Sequence, residues 1–237
     1  MKTEKLRSKA RWFLSEIAVI VVGVLIAIWL NALYSDYSDR RQEQTYLNRL
    51  ADDFDQTVLS FEQAVRLTTA YRDNVVEMLW LANKVPSPEI IDSLRVRFST
   101  AFLMQPFEPV LGTYQELISE GKLELISDDS LRIALVGFEA GLRALESTWD
   151  EGWEQYNLVQ VPFSIANMNV LSQYEGGYAG MTLPPPKNPE NTDVYWTREF
   201  SNVLTVTAIS RQDQIYIGTV MLIQAQNVRS RIERSLR

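Results

Sequence analysis

Histidine and cysteine are both absent from the 237 residues. Imidazole-ligated zinc, haem or chlorophyll therefore cannot be held by this chain alone, and neither a Ser-His-Asp nor a Cys-His arrangement can be assembled. Disulfides contribute nothing, so bridges give no reading of the redox compartment. Glycine and proline are absent between Val24 and Val85. A helix in this stretch meets no obvious break before Asn83. No apolar–polar alternation is long enough to build a sheet, and there is no internal repeat. These absences leave an all-α chain without the commonest catalytic chemistry.

What is present begins with Trp12–Leu33, WFLSEIAVIVVGVLIAIWLNAL, whose one charged residue is Glu16. At the helical rise it spans about 33 Å, enough to cross a bilayer's hydrocarbon core. Trp12 and Trp29 lie roughly 25 Å apart along such a helix, the spacing of interfacial aromatic anchors. Lys2, Lys5, Arg7, Lys9 and Arg11 precede the span, and Asp36 and Asp39, then Arg40 and Arg41, follow it. The positive-inside rule then expects residues 1–11 in the cytoplasm, 12–33 as a single transmembrane helix and 34–237 as an extracytoplasmic domain. A cleaved signal peptide is the rival. Its basic n-region fits, but the apolar run is long for an h-region and no A-x-A-like site follows.

Gly23, Ala27 and Asn31 recur at four-residue steps, with Glu16 and Ile20 almost in line. Small residues admit a neighbouring helix, and Asn can hydrogen-bond across the contact. This face is expected to bind other membrane protein subunits or a second copy, besides lipid.

The formal net charge is -7, divided as +3 on residues 1–33 and -10 on the remainder. An acidic body is a poor match for nucleic acid. A hydrophobic content of 46% fits a folded domain rather than a disordered one.

Along that body, Leu47, Leu50, Phe54, Val58, Phe61, Val65, Val75 and Leu79 keep three- and four-residue steps, so the membrane helix is expected to continue as a long amphipathic one. Ser87-Pro88-Glu89 reads as the cap and first turn of a second helix, reaching about Gln105. Thr113 and Glu116 have capping-box spacing for a short helix over 114–120, closed by Gly121. Leu123, Leu125 and Ile126 form a connector. Ser127, Asp128 and Asp129 then open a long helix to about Gln160. Its stripe runs Leu131, Leu135, Phe138, Leu142, Leu145, Trp149, Trp153 and Tyr156. Pro162 bends or breaks it, with a helical tail towards Tyr174. Residues 175–193 form an exposed Gly/Pro-rich loop. Tyr195 to about Arg234 is the last helix; Arg211, Gln212, Asp213 and Gln214 make it too polar for a second span. The expected architecture is an antiparallel helical bundle.

The chemistry is sparse. Asp52, Asp53 and Asp55 point in different directions on a helix and read as a solvated face rather than a metal site. Glu116 and Glu120 lie one turn apart, but capping and surface roles account for them. The glycines Gly176, Gly177 and Gly180 lack the Lys-Ser/Thr of a phosphate loop. The aromatic stripe reads as core before it reads as a lipid or pigment pocket. No catalytic residue, metal or cofactor is expected. Tyr174, Tyr178, Met181 and Leu183 on the proline-stiffened loop are candidate contacts for a partner.

The span with Ser15-Glu16-Ile17, Gly23 to Ala27 and Asn31, the string Gln44 to Leu47, and above all the run Thr113 to Leu123 leading to Leu125-Ile126-Ser127-Asp128 and Leu131-Arg132, resemble an uncharacterised family of bacterial single-span membrane proteins. The resemblance covers most of the chain. It implies a helical extracytoplasmic domain on the bacterial inner membrane, and no activity. The expected function is a non-enzymatic accessory subunit docking onto a larger membrane complex, a respiratory or photosynthetic one among the possible hosts. The alternative is a periplasmic ligand-sensing ectodomain working through a partner, since only about ten residues would lie inside.

Overall fold

The computed structural model describes residues 2–171, 180–185, 187 and 191–237, with side chains from Val21 onward. Helix α1 runs Lys2–Ala82 without interruption, about 120 Å at the helical rise. Its seam, Glu43, Leu47, Leu50, Phe54, Thr57, Phe61, Ala64, Thr68, the half-buried Tyr71, Val75 and Met78, advances by fours and threes. That is the 3.5-residue spacing of a coiled-coil seam. The last helix, α6 (Arg198–Ser235), carries the matching seam: Phe200, Leu204, Thr207, Arg211, Gln214, Gly218, Met221, Ala225, Val228 and Ile232. Arg72 donates to the Gln212 side chain and Arg229 to Asp55, so the two helices run antiparallel.

Helix α4 (Asp129–Gln155) closes a three-helix bundle, burying Leu131, Leu135, Phe138, Leu142 and Leu145. It lies antiparallel to α6, with Gly141 against Met221 and Gly152 against Gln214. Helix α2 (Pro88–Ala101) starts where sequence places it, with Ser87 accepting from the Ile90 N–H and Pro88 in the first turn. It stops at Ala101, four residues short of Gln105, and buries Leu94 and Phe98. Among the described residues there is no β-strand.

Several local readings need correcting. Helix α3 starts at Gly112, not Tyr114, and Thr113 does not cap it; the Thr113 N–H is taken by Asp53 of α1 at 2.8 Å. Of the three aspartates, Asp52 and Asp55 are exposed, Asp55 pairing with Arg229 at 2.6 Å, and Asp53 alone is half-buried. Trp153 is not core: it is 52% exposed and stacks on Tyr156, while its neighbour Gly152 is buried. Pro162 does not break the helix. The turn before it widens into a π turn, Tyr156–Gln160, in which the Val161 N–H reaches the Tyr156 carbonyl. Widening removes the clash a proline ring makes in a regular helix. Helix α5 (Val161–Asn167) then ends at Met168, short of the expected tail. Gly121 has φ +66, the left-handed value anticipated for the end of α3.

The core falls into two clusters. One joins Leu47, Leu50, Phe54 and Phe61 of α1 to Tyr114, Leu117, Phe138, Met221 and Ile232. The other joins Val75, Met78, Leu94 and Phe98 to Phe163, Tyr195, Phe200 and Leu204. On α1 they are separated by Ala64 and Thr68. On α6 they are separated by Thr207, Arg211, Gln214 and Gly218.

Candidate functional site

Three places qualify as candidates. The first is the N-terminal part of α1. The stretch beginning at Val21 is apolar and long enough to cross a membrane, and none of it is buried against the chain. Gly23, Ala27 and Asn31 are exposed on it, and a Cβ added at Gly23 would meet nothing within 4 Å. Glu16 and Ile20 lie on the same helix, with side chains outside the described residues.

The second is the loop. Tyr174 and Tyr178 lie outside the described residues, whereas Met181 is exposed and Leu183 half-buried. Its far flank is a 3-10 turn, Thr192–Trp196, in which Trp196 donates to the Lys84 carbonyl at 3.0 Å. That flank is thus tied to the end of α1 remote from the apolar stretch.

The third is the polar layer between the two core clusters, which sequence reasoning missed. Arg211 is fully buried. Its guanidinium reaches the Gln214 Oε1 at 3.4 Å and the Phe102 carbonyl at 3.5 Å, both at the long limit of a hydrogen bond. Its Nε has no partner, and neither do Gln214 Nε2, Gln160 Oε1 and Thr68 Oγ1, among the described residues. Gln160, on the π turn, donates to Thr207 at 2.8 Å. Burial alone pushes the Arg211 guanidinium down to about 10, so it is still protonated at neutral pH. No carboxylate among the described residues pairs with it. The available signal was the heptad: continuing Leu204–Thr207 by fours and threes puts Arg211 and Gln214 on the buried seam, and Gln212 and Asp213 outside it.

A surface cluster sits near the start of the bundle. Tyr46 donates to Glu116 Oε1 at 3.2 Å and to Glu120 Oε2 at 3.4 Å, and Arg49 donates to Glu116 at 3.1 Å. The hydrogen bond from Arg49 holds the Glu116 carboxyl below its ordinary range. Strings far apart in sequence, Gln44 to Leu47 and Thr113 to Leu123, meet here. The carboxylates brace α3 against α1, and a cleft of about 290 Å³ lined by Ser38, Arg41, Gln42, Thr45, Tyr46 and Arg49 opens beside them.

The outer face of α6 carries Val206, Ile209, Tyr216, Val220 and Ile223, all exposed, at three- and four-residue steps broken by Asp213. Val206 and Ile209 edge a cleft of about 200 Å³ shared with Thr148, Glu151 and Gln155 of α4.

These features define an all-α bundle built on one long N-terminal helix with an uncovered apolar section. The chain belongs to a family of unknown function, DUF6090, which it matches over residues 16–141, a little more than half its length. No curated protein and no solved structure matches it. The matched region holds the Gly23 face and the Tyr46–Glu116 cluster; Arg211 and the outer face of α6 lie beyond it.

Proposed function

We propose that the protein is a single-span subunit of the bacterial inner membrane, N-terminus in the cytoplasm, whose helical bundle docks outside the membrane onto a larger membrane protein assembly. One observation carries the reading: the final helix has two apolar faces and the bundle uses one. The inner seam from Phe200 to Ile232 is buried, while Val206, Ile209, Tyr216, Val220 and Ile223 stand exposed along the outer side. Aligned aromatic and β-branched residues on an exposed helix face are what a partner helix buries. The apolar section of α1, with its Gly23/Ala27 face, adds a second contact inside the bilayer. A respiratory or photosynthetic complex is one class of host.

A photo-crosslinking residue at Tyr216, used in native membranes, tests this directly. The reading expects one discrete adduct, which disappears when Ile209→Asp and Ile223→Asp are added while the helical signal is retained. Adducts spread over many proteins, or an adduct indifferent to the two aspartates, would refute it.

The second reading, a ligand-sensing ectodomain, is favoured by the Arg211 layer, because a buried, protonated guanidinium without a carboxylate is costly to keep for packing alone.

A further inference from the structure

The layer around Arg211 has the parts of a binding site, and they face one kind of ligand. The guanidinium is fully buried and charged, and among the described residues it meets two neutral oxygens, each at the long limit. Its Nε–H and the Gln214 Nε2 amide are unpartnered donors. Gly152 lets the Gln214 amide pack close against α4: a Cβ there would lie 2.4 Å from Gln214 Nε2. Phe102 stands at the edge of the layer. Its carbonyl takes the Arg211 Nη2 hydrogen bond, and its ring lines a groove of about 300 Å³ with Phe98, Leu103, Tyr156, Val161 and Ile165. An apolar groove and a positive, donor-rich interior are therefore separated by one residue. The other wall is the π turn, and π turns are frequent at functional sites.

We propose that Arg211 is the charged end of a site for a small monocarboxylate with an apolar body. The carboxylate displaces the Phe102 carbonyl and takes two guanidinium N–H groups side-on, the planar geometry to which arginine is suited. The apolar body lies in the Phe98–Ile165 groove. A single charge fits a single arginine, and a phosphate's second charge would find no second cation in the layer. The proposal does not depend on whether the bundle docks onto a partner. Its competitor is a purely structural role, in which one polar layer fixes the register of the α1–α6 seam.

The test uses the full chain in detergent, titrated with benzoate and hexanoate, with benzamide, sulfate and chloride at matched ionic strength as controls. The expected result is a saturable rise in Tm with the two carboxylates and none with the controls. Arg211→Met should abolish the rise. Ile165→Trp, which fills the groove from an exposed position, should abolish it while leaving the guanidinium and the unliganded Tm in place, so the proposal stays testable if Arg211→Met fails to fold. No response to either carboxylate, equal responses to sulfate or chloride, or a response that survives Ile165→Trp would overturn the proposal. A more stable Arg211→Met protein with no carboxylate response in wild type would assign the layer to register alone.

Discussion

Residues 21–37 and 43–82 belong to one helix, yet they are built for different surroundings. In the first segment Val22, Leu25, Ile26, Ile28 and Trp29 point all ways round, and every residue is exposed. In the second the buried apolar residues keep to a seam at 3.5-residue spacing that packs against α6, while Leu59, Val76 and Trp80 stand exposed outside it. A helix that is apolar on all sides must be covered by something other than water, whereas a one-sided stripe asks only for a neighbour. The junction near Glu43 is where the bundle takes over: Glu43 Oε1 accepts from the Ser127 N–H at 2.6 Å and from its hydroxyl, tying the start of α4 to α1. One unbroken helix thus passes from a section the chain leaves uncovered to one the bundle covers.

The contrast can be broken most strongly by charge. Val24→Arg with Ile26→Arg should cost about 3 kcal/mol per residue for insertion near the centre of a span. Fractionation should find the doubly substituted chain lost from the membrane, and circular dichroism should find the bundle's helical signal intact. Loss of the helical signal would mean that the first segment supports the bundle. The converse change is Phe61→Ala. Phe61 is fully buried and packs on Phe107 and Phe138, and its removal should cost about 3–5 kcal/mol in denaturant unfolding without altering membrane partition. A loss under 1 kcal/mol would show the seam to be loosely packed.

Smaller effects sharpen the description of the bundle. Asp128 accepts from the Ser130 and Leu131 N–H groups and caps α4. Asp128→Ala should cost about 1 kcal/mol, read as a lowered urea midpoint. Its carboxyl is held low, first by Ser130. That contribution is therefore present above the ordinary aspartate range and lost as pH falls through the depressed value. A further effect appears at alkaline pH. Burial, then the hydrogen bond to Glu139, pushes the Tyr114 phenol up to about 12. A raised phenol adds stability that is whole below its ordinary value near 10 and disappears as pH rises through 12. In a phenolate absorbance titration Tyr114 should appear as a late component, which Tyr114→Phe should remove.

Much of the bundle was legible because its determinants are local. The unbroken α1 follows from sixty residues without Gly or Pro, the start of α2 from Ser87-Pro88, and the end of α3 from Gly121. What failed depended on partners distant in sequence. Thr113 looked like its own helix's cap, but Asp53 occupies that role from sixty positions away. Trp153 continued a plausible stripe until the π turn and Gly152 moved the buried side. Arg211 was read as an interruption in an apolar helix. The heptad of α6 places it on the buried seam, where it reaches the Phe102 carbonyl from more than a hundred positions away. Of the proposed contact residues, Gly23, Ala27 and Asn31 stand on an uncovered face, while the outer stripe of α6 was overlooked because an amphipathic reading assigns each helix a single apolar side.

The central claim is that one helix is both membrane anchor and bundle scaffold, with the bundle outside. The absence of native cysteine makes single-cysteine labelling clean. Lys5→Cys and Asn202→Cys, each expressed alone, should be probed in intact spheroplasts with a membrane-impermeant maleimide. The account predicts immediate labelling at position 202 and labelling at position 5 only after lysis, with both proteins in the membrane fraction. Labelling at position 5 with protection at 202, or recovery of either protein in the soluble fraction, would contradict it.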